Sequence, residues 1–231
     1  MKQILPLIAL LVAFNSLIGQ SLTGSQLLEK AIAYHDPNGK WPSFKGKFHV
    51  TMETPNSPNR ESDIEINLPD EKFYLRAVKE GQETSYSLEK GRCEICVNGP
   101  SDTSNTCERA KMYKNYYTYL YGLPMKLKDA GTHIAEKVDR KKFKGKEYLV
   151  LKVTYDEAVG KDVWFFYFNP ATYALEVYQF YKGDPSKEGK NTGEYILLTD
   201  ETVVYGIKMP KNRAWYYNKD DKYLGTDILK K

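Results

Sequence analysis

From Phe44 onward the chain alternates apolar and polar residues with a period of two. Phe48, Val50 and Met52 alternate with His49, Thr51 and Glu53. Ile64, Ile66 and Leu68, then Phe73, Leu75 and Ala77, repeat the pattern. Side chains of a strand point alternately to its two faces, so each row predicts a strand with one buried face. Turn-forming groups fall between the rows: Pro55-Asn56-Ser57-Pro58-Asn59, Pro69-Asp70, Glu80-Gly81 and Lys90-Gly91. Short alternating runs joined by short turns predict an antiparallel meander. Leu149, Leu151, Val153 and Tyr155 open a second such region, followed by a turn at Ala158-Val159-Gly160-Lys161. Val163-Trp164-Phe165-Phe166-Tyr167-Phe168 is apolar at every position, which predicts a strand covered on both faces. A turn at Asn169-Pro170-Ala171-Thr172 leads into Leu175, Val177 and Tyr181, then a polar loop from Gly183 to Gly193. Tyr195 to Thr199, Val203 to Met209 and Arg213 to Tyr217 supply three further strands.

Two segments break this rhythm. Ser25 is placed to cap a helix, with Leu27, Leu28, Ala31 and Ile32 at helical spacing. It should end at Tyr34 or His35, where Asp36-Pro37-Asn38-Gly39 matches the residue order of a type I turn. From Glu108 to Leu120, Ala110, Tyr113, Tyr117 and Leu120 fall on one helical face, and Gly122-Leu123-Pro124 stops the segment. The expected architecture is about ten or eleven strands and two principal helices. No linker or repeat divides it, so residues 20–231 read as a single α+β domain.

The first 19 residues read differently. Met1-Lys2-Gln3 is a short basic start, Ile4 to Phe14 is almost wholly apolar, and Asn15 to Gly19 turns small and polar. That order predicts a secretory signal peptide, cleaved near Gly19-Gln20, and the apolar run is too short to span a bilayer. No later segment is long and apolar enough for a membrane helix, so a periplasmic or secreted protein without a transmembrane segment is expected. Thiols there meet an oxidising environment. Cys93, Cys96 and Cys107 lie in one stretch, Arg92 to Cys107. Cys93 and Cys96 have the C-x-x-C spacing of a redox or metal pair, but a zinc site needs four ligands and a thioredoxin motif opens a helix. The pair sits instead in a strand-like run ending in Asn98-Gly99-Pro100. A structural disulfide from Cys107 to Cys93 or Cys96 is expected, with one thiol left over. No metal site is expected.

Charge and motifs narrow the chemistry further. The 34 Lys and Arg against 30 Asp and Glu give a net charge of +4 spread along the chain, unlike the concentrated basic patch of a nucleic-acid protein. Nucleophile elbow, phosphate-loop and zinc-helix motifs do not occur, and no cofactor is expected. His35-Asp36 is the one His beside a carboxylate in sequence. It reads either as an oriented general base or as a helix-terminal His favouring the dipole, with Asp36 serving the turn. Asp220-Asp221 lies in a turn-like segment. The basic run Arg140-Lys141-Lys142-Phe143-Lys144-Gly145-Lys146 reads as an exposed hairpin or as a docking surface. The aromatics carry more information: 19 Tyr, 9 Phe and 3 Trp are more than a small sheet core demands. Trp164, Phe166 and Phe168 share one strand face, and Tyr116 and Tyr117 belong to the Tyr-rich helix. These five rings either fill a core or line a cavity for an apolar ligand.

Ala31-Ile32-Ala33-Tyr34-His35-Asp36-Pro37-Asn38-Gly39-Lys40-Trp41 resembles the opening motif of an uncharacterised family of secreted Bacteroidota proteins, a domain-of-unknown-function family. Its pattern rests on His35, Asp36, Pro37, Gly39 and Trp41. Tyr119-Leu120-Tyr121-Gly122-Leu123-Pro124 with Lys128-Asp129-Ala130-Gly131 looks like that family's central helix and turn. Gly206-Ile207-Lys208-Met209-Pro210 with Arg213-Ala214-Trp215-Tyr216 looks like its C-terminal motif. The Cys cluster departs from the pattern, so no role for it follows. The order of elements is also similar to the LolA/LolB lipoprotein-carrier superfold, which implies a strongly curved antiparallel sheet, an incomplete β-barrel wrapping the two helices. The resemblance implies an exported, non-enzymatic protein that binds or carries lipid or lipoprotein acyl chains. Two alternatives stand beside it: an envelope protein–protein interaction module, and a hydrolase using His35 and Asp36.

Overall fold

A computed structural model describes residues 22–101 and 107–230, so the segment expected to be a signal peptide lies outside the described residues. The first alternating region forms β1 (Lys45–Thr54), β2 (Ser57–Asn67), β3 (Lys72–Lys79), β4 (Gln82–Glu89) and β5 (Arg92–Val97). The second forms β6 (Thr132–Ile134), β7 (Asp139–Phe143), β8 (Lys146–Tyr155), β9 (Val163–Phe168), β10 (Leu175–Tyr181), β11 (Glu194–Val204), β12 (Ile207–Tyr217) and β13 (Tyr223–Lys230). The helices are α1 (Gly24–His35) and α2 (Cys107–Gly122).

The strands make one antiparallel sheet in the order β5-β4-β3-β2-β1-β13-β12-β11-β10-β9-β8-β6, with β7 also paired to β8. Each region is a meander, and the first and last strands join them through His49↔Lys230 to Glu53↔Thr226. The sheet is curved and does not close, because β5 and β6 remain edges. Inward residues of β2, β3 and β4 (Ile64, Phe73, Tyr86) and of β8 and β9 (Leu151, Phe166) belong to one core, which requires the sheet to bend around it. α1 packs against β12 and α2 against β3, β4 and β5.

Thirteen strands replace the expected ten or eleven. β6 is three residues long, too short to show a period. β13 escapes because its buried positions are Gly225, Asp227 and Leu229, so its inward row is not apolar. The break expected between Met209 and Arg213 lies instead at Tyr205-Gly206, where both residues take positive φ (50° and 86°). Pro210, read as a strand end, sits inside β12 opposite Glu201. The cap of α1 is Thr23, not Ser25: the Thr23 hydroxyl accepts from Gln26 N–H while the Gln26 side chain accepts from Thr23 N–H.

Val163–Phe168 is covered on both faces, and the second cover is local. Tyr148, Val150, Tyr167 and Val177 form a small outer cluster. Phe143 lies over it, 5.2 Å from the Tyr167 ring and 5.3 Å from the Tyr195 ring. The basic run is therefore the β7–β8 hairpin, turning at Lys144-Gly145, with its one aromatic residue turned down onto the sheet. Cys93 pairs with Cys107 across 14 residues, with Cα atoms 5.7 Å apart, and Cys96 is the free thiol. The bond ties edge strand β5 to the start of α2.

Candidate functional site

Alternation along β9, β10 and β12 turns Trp164, Phe166 and Phe168, then Tyr178 and Phe180, then Arg213 and Trp215 toward the concave face, where the main core lies. The rings form a connected wall. Trp164 stacks on Phe180 at 4.8 Å and on Phe166 at 6.0 Å, and meets Tyr119 of α2 at 5.7 Å. Tyr178 meets Trp215 edge-on at 6.2 Å. The five rings singled out from sequence divide here. Phe166, Phe168 and Tyr117 are buried core residues. Trp164 is only part-buried, as are its neighbours Phe180, Trp215 and Tyr119. Tyr116 stands edge-on to Tyr117 at 5.2 Å and keeps 37% of its surface exposed. Desolvation nonetheless holds its hydroxyl well above the usual phenol range, with Asp227, Tyr178, Tyr117 and Tyr121 near it. Its hydroxyl thus lies among protein groups while part of the ring stays exposed.

Beside this wall lies a polar group that sequence reasoning missed. The register runs Arg60↔Met52 between β2 and β1, Met52↔Asp227 between β1 and β13, and Asp227↔Arg213 between β13 and β12. Arg60, Asp227 and Arg213 thus share one inward row across four strands. Arg60 Nη2–H donates to Tyr117 Oη at 3.2 Å. Arg213 lies 3.9 Å over the Tyr121 ring and donates to the carbonyls of Pro210 (3.2 Å) and Leu120 (3.3 Å). Asp227 accepts from Trp215 Nε1–H at 3.2 Å. Burial pushes the Asp227 carboxyl up, against the pull of Arg213, the Trp215 bond and Arg60. The signal available in sequence was weak: a charged residue at an inward strand position, recognisable only once the register is known.

The His35 segment is built for anchoring. His35 is buried at the end of α1. Its Nε2 accepts from Leu175 N–H at 2.9 Å, so Nδ1 carries the proton and donates to Lys208 O at 2.8 Å. Burial lowers its pKa, which keeps this neutral form. Asp36 does not orient the ring; its carboxylate accepts from the N–H groups of Lys40 (2.7 Å) and Trp41 (2.8 Å). Pro37 and Gly39, at φ +60°, make the turn between them. Trp41 is buried against Gly122, where a Cβ would come within 2.2 Å of its indole. The three sequence segments singled out above therefore meet: the first touches the second through Trp41 and Gly122, and the third through His35 and Lys208. Arg213 closes the set by bonding Leu120.

On the outer side, a groove of about 660 Å³ runs from Tyr34 and His35 past Tyr148 and Glu176 to Lys144. Tyr34 there donates to Glu201 at 2.7 Å, and burial with that contact pushes its hydroxyl up to about 12. Asp220 and Asp221 occupy the β12–β13 turn, where Asp221 pairs with Lys144 at 2.7 Å. Among the described residues no group of three or more His, Cys, Asp and Glu is arranged to hold a metal. No described helix is long and apolar enough to cross a membrane.

Two solved structures share this fold. A LolA superfamily protein of Nitrosomonas europaea superposes with a TM-score of 0.56 at 12% identity, over 91% of this chain and 93% of its own. A DUF1329 family protein of Desulfovibrio piger does so at 0.51 and 6% identity, over 91% and 92%. At these identities the likeness is one of fold. No curated protein matches the chain in sequence. The family of unknown function DUF6503 matches residues 2–230, and the chain belongs to it.

Proposed function

We propose that the protein is an exported, non-enzymatic carrier that holds lipid or lipoprotein acyl chains against the concave face of its sheet. The observation that carries this reading is the wall of part-exposed rings, Trp164, Phe180, Trp215, Tyr119 and Tyr116, facing the interior of an unclosed sheet. Contiguous exposed aromatic surface on a concave face is the kind that marks a binding site. Each acyl methylene buried there contributes about 0.8 kcal/mol. Export is supported by the basic-then-apolar order of residues 1–19 and by the Cys93–Cys107 bond, which persists in an oxidising compartment. The hydrolase reading has less support, because both ring nitrogens of His35 are engaged by backbone groups. The docking-hairpin reading also has less: Lys141, Lys144 and Lys146 already pair with Asp139, Asp221 and Glu176.

Fluorescence tests the carrier reading. Two of the three Trp lie in the proposed wall, and Trp41 lies under Gly122. Titration with a fatty acid brominated along its chain should quench the emission, and the combined Trp164→Phe and Trp215→Phe variant should lose the quenching. Emission unchanged through the titration overturns the reading.

A further inference from the structure

Five buried side-chain atoms make no hydrogen bond among the described residues: Arg60 Nε, Ser62 Oγ, Tyr121 Oη, Tyr178 Oη and Arg213 Nε. Buried polar groups are nearly always satisfied, so each exception calls for a cause. These five are not scattered. Ser62 follows Arg60 on the inward row of β2. Tyr121 lies under Arg213, and Tyr178 Oη stands beside the same guanidinium. Asp227 sits between the two arginines in the strand register, and both pull its carboxyl down against the effect of burial. Ser62, Tyr121, Tyr178 and Arg213 each expose 2% or less of their surface.

An arginine nitrogen only donates, whereas each hydroxyl can donate one proton and also accept. All five unmatched atoms can therefore donate to one acceptor, and the two arginine nitrogens can be satisfied only by an acceptor. The charge of the cluster points the same way, with two permanent guanidinium charges against one buried carboxyl. Arg213 bonds two carbonyls, covers a ring face and stands beside Tyr178, while Asp227 nearby is bonded to Trp215; a buried cation that makes no direct ion pair is unfavourable. An anionic oxygen group supplies both the missing acceptors and the missing charge.

We infer that the concave site takes an amphiphile with an anionic phosphate or carboxylate head, bound by Arg60 and Arg213 with the hydroxyls of Ser62, Tyr121 and Tyr178, while its chain lies along Trp164, Phe180 and Trp215. This rests on the carrier reading and adds the class of head group to it.

Calorimetric titration of the full-length exported protein, with ligands below their micelle concentrations, separates the two. The probes are dodecyl phosphate, dodecanoate, 1-dodecanol and inorganic phosphate. Dodecyl phosphate and dodecanoate should bind at least about ten-fold tighter than dodecanol. Arg60→Gln should reduce that ratio to about two-fold or less, and Tyr178→Phe, which keeps both guanidinium groups, should reduce it partly. Circular dichroism checks that each variant is folded. Equal affinity for dodecanol and dodecyl phosphate overturns the anionic subsite and leaves the carrier reading standing. No binding of any dodecyl compound overturns the carrier reading itself. Inorganic phosphate binding as tightly as dodecyl phosphate makes this a free-anion site and overturns the amphiphile. A ratio retained in Arg60→Gln overturns the assignment of that residue.

Discussion

His35 joins α1 to Leu175 and Lys208 only while its ring is neutral, since a protonated Nε2 cannot accept the Leu175 N–H. Burial lowers its pKa from 6.5 in the folded state. The unfolded chain therefore binds the extra proton first as pH falls. The contribution of His35 is complete above pH 6.5 and is lost as pH drops toward the folded pKa. His49 behaves oppositely. Partial burial opposes its charge, but hydrogen bonds to Asp63 and Glu61 outweigh this and raise its pKa. Its contribution is present below 6.5 and is lost as pH rises through the folded value. Urea unfolding from pH 5 to 8 should show stability falling on the acid side, with a shallower fall in His35→Gln. An identical acid limb in both proteins would contradict the assignment. A second residue-scale test is Gly122→Ala. Its Cβ would lie 2.2 Å from the Trp41 ring and 2.6 Å from Lys126 Cγ, so the indole must shift. Overpacking of this kind costs about 1–3 kcal/mol, measurable as a lowered urea midpoint at unchanged slope.

At the scale of elements, α2 is held to the sheet by its Tyr113, Tyr117 and Leu120 face and, at its start, by Cys107. Replacing Cys93 or Cys107 by Ser removes the closure of the 14-residue loop, worth about 3 kcal/mol in the chain-entropy model. The same loss should follow from reduction of the wild type, and Cys96→Ser should leave stability close to unchanged, as read from thermal melts. The helical face of α2 was legible because it repeats every three or four residues over four turns. The strands of the first meander were legible for the same kind of reason. The pairing partner of Cys107 was open between two residues of one strand; alternation decides it, because Cys93 is among the residues packed on the core. β13 was not legible, since its inward residues include Gly225 and Asp227 in place of apolar side chains.

The whole molecule joins two meanders through β1 and β13, and that pairing brings the charged half of the candidate site together. Its aromatic half could be read from Val163–Phe168, where too many rings occur for one face. Its charged half could not, because Arg60, Asp227 and Arg213 come together only when the two ends of the chain pair. The segments resembling a known family were legible as motifs, and their positions explain them as joints: His35 on Lys208, Trp41 on Gly122, Arg213 on Leu120. These joints fix the end of α2 and one end of the concave face. The central claim is that this face holds acyl chains. Native mass spectrometry of the protein, exported to a periplasm and purified without detergent, tests it most directly. The account predicts a mass excess that dissociates as a lipid and is reduced in the Trp164→Ala and Trp215→Ala double variant. A clean protein mass, with no uptake of offered lipids by the folded protein, would contradict it.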